Sequence, residues 1–136
     1  MKVLVFDISG KYAHYKKIYA TTSAITYAIP TKTSLFGYLW AIGALEKNEN
    51  KDFYLQFFQN KVCLIGIQIL NPIVTQRINT NLLSNITRKW EHKPTMVEYV
   101  NNPKFRIFVT HTNESFYSKL KSILKKHKTV YTPTLG

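Results

Sequence analysis

Acidic side chains are the scarcest component of this chain. Its 136 residues include 7 Asp and Glu against 19 Lys and Arg, a formal net charge of +12. No Asp or Glu occurs between Ile8 and Leu45. So few scattered carboxylates give no evident acid–base pair for hydrolysis. Cysteine occurs once, at Cys63 inside an apolar run, which excludes an internal disulfide and a CxxC zinc site and reads as a buried thiol. There is no GxxxxGK[ST] phosphate loop and no HExxH, and neither a metal nor a cofactor is expected. The longest unbroken apolar and glycine run, Leu35 to Leu45, is too short to cross a bilayer. Asp7 interrupts the N-terminal apolar run after a single Lys, which excludes a signal peptide. A soluble, cytoplasmic protein without membrane contact or small-molecule substrate is the expectation.

What is present is positive charge with aromatic rings. Apolar residues make up 45% of the chain and aromatics 14%, enough for a folded core. Nucleic acid is the commonest polyanion that such an excess of cations serves, and rings supply stacking faces for bases. The two features coincide between Lys11 and Pro30, in KYAHYKKIYATTSAITYAIP. Lys11, Lys16 and Lys17 offer charge to phosphates, Tyr12, Tyr15 and Tyr19 offer rings, His14 adds a donor, and Thr21, Thr22 and Ser23 add hydroxyls. Twenty residues without a period make a long connection, and long connections are usually functional. The competing reading is a solvated loop with half-buried tyrosines.

The rest of the chain divides into regular elements. Lys2 to Ile8 is apolar at nearly every position, as in a strand covered on both faces. Pro30 with Thr31 or Thr33 starts a helix that continues through Leu35 to Leu45, where Gly37, Ala41 and Ala44 form a small-residue face. Lys32 and Thr33 lie in its first turn, and a lysine against the helix dipole is explained by an intervening phosphate. Asp52 caps a short helix, Phe53 to Gln59, and Val62 to Leu70 reads as a second core strand. Ile73 to Ile78 and Thr95 to Val100 flank a polar, basic tip, giving a projecting hairpin over about 71–100 that carries Arg77, Arg88, Lys89 and Trp90. Lys104 to Thr110 is a third core strand. Thr112 or Asn113 then caps a helix with Phe116, Leu120, Ile123 and Leu124 on one face and lysines on the other. With no repeat or linker, 1–136 forms a single α+β domain of ferredoxin-like, RNA-recognition-motif type. The order βαββαβ carries an inserted hairpin, and its fourth strand is not visible. KFRIFVT lacks the glycine positions of the RNA-recognition signature, so the loop and hairpin are the expected contact elements rather than the open sheet.

The stretch FDISGKYAHYKKIYATTSAITYAIPTKTSLFG closely resembles the opening of the CRISPR-associated Cas-five family, most like its subtype I-B branch. The likeness rests on Phe6-Asp7, Ser9-Gly10, Tyr12-Ala13-His14, Lys16-Lys17, Tyr19, Thr21-Thr22-Ser23, Thr26-Tyr27, Pro30, Lys32-Thr33, Leu35 and Gly37. Tyr99 with Asn102-Pro103-Lys104, Phe105-Arg106-Ile107 and Val109 makes a second block, and Tyr131-Thr132-Pro133 with Leu135-Gly136 a third. The resemblance implies a non-catalytic subunit of the type I surveillance complex (Cascade) that holds the 5′ handle of the CRISPR RNA (crRNA). Its partners would be crRNA, the backbone subunit and the large subunit, with Arg77 to Trp90 in a thumb that reaches toward the backbone subunit. Family members usually continue past the Leu-Gly at which this chain stops and gain a strand there, so an N-terminal part of a longer protein is expected. The alternative is the activity of the I-C branch, a metal-independent endoribonuclease using Tyr, Lys and His. Here that reading falls on His111 with Tyr15 or Tyr19 and a lysine, although Thr110 and Thr112 flank His111. A third reading has the helices Leu35 to Leu45 and Glu114 to His127 facing other subunits.

Overall fold

The computed structural model describes residues 1–20, 24–43, 58, 61–84 and 90–136. The expected helix Phe53 to Gln59 and the residues Thr21, Thr22, Ser23, Arg88 and Lys89 lie outside that set, apart from Phe58 itself. In chain order the elements are β1 (Leu4–Ser9), β2 (Tyr12–Ala13), α1 (Lys32–Gly43), β3 (Cys63–Ile69), β4 (Val74–Ser84), β5 (Glu91–Asn101), β6 (Lys104–His111) and α2 (Glu114–Lys125).

They build two antiparallel three-stranded sheets, ordered β1-β6-β3 and β2-β5-β4. The first sheet, with α1 and α2, is the ferredoxin-like frame, and the β4–β5 hairpin is its insertion. Among the described residues no strand pairs with the outer edge of β1, the place a fourth strand takes in that frame.

Only one face of the first sheet is covered. On β6 the side chains of Phe105, Ile107, Val109 and His111 are buried and alternate with more exposed neighbours. The two-sided burial expected of β1 does not occur, because Val5, paired with Phe108 on the outer face, is 52% exposed. Both helices pack on the inner face. Phe36, Leu39 and Ile42 of α1 meet Phe116 and Leu120 of α2 above Cys63 and Val109. A second cluster, with Ile8, Ala13, Leu35, Val100, Phe105 and Ile107, joins the two sheets.

Helix starts follow side-chain chemistry. The Thr31 hydroxyl accepts the Ser34 N–H at 3.3 Å, so Thr31 rather than Thr33 caps α1. Asn113 caps α2 by accepting the Phe116 N–H at 2.9 Å. The small residue that sets helix approach is not on the expected face, since Gly37 is exposed. It is Gly43, where a Cβ would meet Phe116 at 3.2 Å and Leu120 at 3.3 Å.

The hairpin is longer than its hydrophobic pattern. Strand pairing runs from Val74↔Asn101 through Asn81↔Pro94 to Ser84↔Glu91, so much of the expected polar tip is ladder. Pro94 is tolerated because β2 covers β5 only at Val100 and Asn101, leaving one side of β5 open further out.

Candidate nucleic-acid interface

The segment from Lys11 to Pro30 is not a free loop. Tyr12–Ala13 adds to the second sheet beside Asn101 and Val100. The chain then doubles back: the Lys17 N–H donates to Ile25 O at 3.1 Å and the Tyr27 N–H to Tyr15 O at 2.8 Å. Ala24 bridges to Val97 of β5, which docks the returning arm on the hairpin.

Glu98 holds this arrangement together. Its backbone N–H donates to Ala24 O at 2.8 Å. Its carbonyl accepts from His14 Nδ1 at 2.7 Å. One carboxylate oxygen accepts the Thr26 N–H at 3.3 Å and the other faces Arg77 Nε at 3.4 Å. A carbonyl only accepts, so the His14 proton is on Nδ1. Arg77 is therefore paired with an acid across the hairpin. Sequence reasoning missed Glu98 because its partners lie far away along the chain.

On the sheet face opposite Ala13 and Val100, which are buried, sit Tyr12, His14 and Tyr99. The Tyr12 and Tyr99 ring centres are 5.8 Å apart at 54°, and His14 meets Tyr99 edge-on at 5.8 Å. Lys11 Nζ lies 5.7 Å from the Tyr12 ring centre, and Tyr12 is 38% exposed. Tyr99 is thus a further ring of the site, brought beside Tyr12 and His14 by the pairing of β2 with β5. On the loop itself Lys16 is exposed and Tyr19 is 69% exposed. Lys17 Nζ lies 5.7 Å from the Tyr27 ring centre. Trp90 is 70% exposed at the foot of β5's outer end.

Tyr15 differs from its neighbours. It is 3% exposed within the cluster joining the two sheets, so neither ring face is open to a base. Burial, with Tyr38 nearby, pushes its phenol up to about 12, and the hydroxyl has no hydrogen-bond partner among the described residues. The Lys32 argument also changes. Its ammonium lies 5.5 Å from the ring centre of Phe36, one turn on, a cation–π contact that accounts for a lysine in the first turn without an intervening phosphate. Thr33 is exposed, with its hydroxyl 3.1 Å from that of Thr31. His111 is 8% exposed, accepts the Asn113 N–H at Nδ1, and packs 5.0 Å from Phe116. Its ring serves the start of α2 and also lines a surface hollow with Lys2, Lys61 and Tyr117. Burial pushes the Cys63 thiol up to about 11, as expected of a core cysteine.

Among the described residues no cluster of His, Cys, Asp and Glu could hold a metal, and no helix is long and apolar enough to cross a membrane. The arrangement presents cations and ring faces side by side, with Glu98 committed to holding the loop.

No family model matches this chain, and no curated protein matches it by sequence. Solved structures do share its fold. A structure described as a CRISPR RNA-guided surveillance complex aligns with a TM-score of 0.67 and 14% identity, over 99% of this chain and 57% of its own. One described as a Cas protein aligns at 0.59, also with 14% identity, over 99% of this chain and 56% of its own. A functionally uncharacterized protein from Streptococcus mutans aligns at 0.55 with 14% identity, over 99% and 61%. The chain therefore spans little more than half the length of these structures, and at such identity the likeness is one of fold.

Proposed function

We propose that this chain is a non-catalytic, RNA-binding part of a type I CRISPR surveillance complex, and that it holds the 5′ handle of crRNA in the cytoplasm. The observation that carries the reading is the group Lys11, Tyr12, His14 and Tyr99 on the outer face of the second sheet, continued by Lys16, Lys17 and Tyr19. Base stacking on Tyr12 and Tyr19, with lysines on the phosphates, is the chemistry such a group supports. The fold shared with a CRISPR surveillance complex is consistent with it. The hairpin, with Leu83, Trp90 and Met96 exposed, would meet the backbone subunit, and other surfaces the large subunit.

The test is fluorescence anisotropy with a labelled repeat-derived handle RNA across a salt series. Lys16→Ala plus Lys17→Ala should weaken binding and lower the salt slope by about 0.7 for each phosphate no longer neutralised. Unchanged affinity and slope in that variant would remove the loop from the interface.

A further inference from the structure

Beside the aromatic group lies a niche of different character. It is shallow, about 540 Å³, and forms where β1 ends and β6 begins. Ser9, Gly10 and Lys11 line it from one chain segment, Asn71 from a second, and Asn102 and Lys104 from a third. Its frame is rigid. The Asn102 N–H donates to Lys11 O at 2.9 Å, the Gly10 N–H to Pro103 O at 3.2 Å, and the Leu70 N–H to Lys104 O at 2.9 Å. Asn71 Nδ2 donates to Asn102 O at 3.1 Å, which holds Asn102 in its left-handed turn at φ 46°.

No carboxylate lines the niche. Asp7 is close enough to feel the charge of Lys104, but both its oxygens are taken by Arg106, at 2.8 and 3.1 Å. Two lysines and no acid line one hollow, so an anion seated there is attracted by both. Lys11 belongs both to this niche and to the Tyr12 ring, so the hollow adjoins a stacking face.

We infer that the niche is a phosphate subsite. It takes a phosphate of the single-stranded RNA whose base stacks on Tyr12, with Lys11 and Lys104 as cations and the Ser9 hydroxyl and Asn102 amide as neutral donors. The inference rests on the RNA-binding reading and adds Lys104, Ser9 and Asn102 to it.

The test uses the full chain and a short labelled single-stranded RNA, prepared with and without a 5′ phosphate. Lys104→Ala should weaken binding several-fold and lower the salt slope by about 0.7, while Lys104→Arg preserves both. Asn102→Gly, which keeps the left-handed turn and removes the amide, should weaken binding with less change of slope. An effect of Lys104→Ala that persists without the 5′ phosphate identifies an internal phosphodiester; one that vanishes identifies a terminal phosphate. Both outcomes support the subsite. If Lys104→Ala binds as wild type while Lys16→Ala plus Lys17→Ala is impaired, the niche is overturned and the RNA reading stands. If an acidic peptide binds in a Lys104-dependent way and wild type binds no RNA, both are overturned.

Discussion

Tyr12 and Tyr15 are three positions apart and have opposite fates. Tyr12 sits on the outer face of a two-residue strand; Tyr15 turns into the junction between the sheets. Tyr12→Ala should cost about 1–3 kcal/mol of RNA affinity, with Tyr12→Phe retaining most of it, read by the same anisotropy titration. Tyr15→Phe should do the reverse of a core deletion. It removes a buried hydroxyl that has no partner among the described residues, so the variant should be more stable by about 1 kcal/mol in a urea unfolding series, with RNA affinity unchanged. Composition could find this aromatic, basic segment but could not sort its rings. Which tyrosine faces in depends on pairing with Asn101 and Val100, residues far along the chain. The same limit hid Tyr99 and Glu98, whose partners become neighbours only after the hairpin closes.

Among the elements, β6 and α2 fall where their apolar spacing puts them, and the body of α1 where its capped start and continuous apolar run put it. The hairpin was readable only in outline. Asn79, Asn81 and Pro94 have poor strand preference, yet the ladder extends through them because each strand satisfies the other's backbone. Glu98 ties this hairpin to the loop. Glu98→Ala should lower stability by about 1–3 kcal/mol, while Glu98→Gln keeps much of it. Hydrogen exchange at the Thr26 amide should accelerate first in the alanine variant. In the first sheet the Arg106 guanidinium, by hydrogen bond and by charge, holds the Asp7 carboxyl below its ordinary range. A depressed folded-state value stabilises the fold above the ordinary carboxylate value of 3.8, and that contribution is lost as pH falls through the folded value. The gap in melting temperature between wild type and Asp7→Asn should therefore narrow as pH falls below the ordinary value of 3.8.

For the whole molecule, the charge of +12 includes a group near Lys11 and a separate row on α2, where Lys121 and Lys125 are exposed. In the first, Lys11 lies beside Tyr12 and Lys17 beside Tyr27, the contacts on which the proposed RNA interface rests. The excess still raises the encounter rate with any polyanion, and that steering weakens as salt is added. Among the described residues nothing pairs with the outer side of β1, and this has a further effect on the chain in isolation. Its outward N–H and C=O groups form a template on which a second copy can lay its own β1. Sedimentation over a concentration series should accordingly detect reversible self-association in purified stocks, and any peptide able to occupy that template should dissolve it.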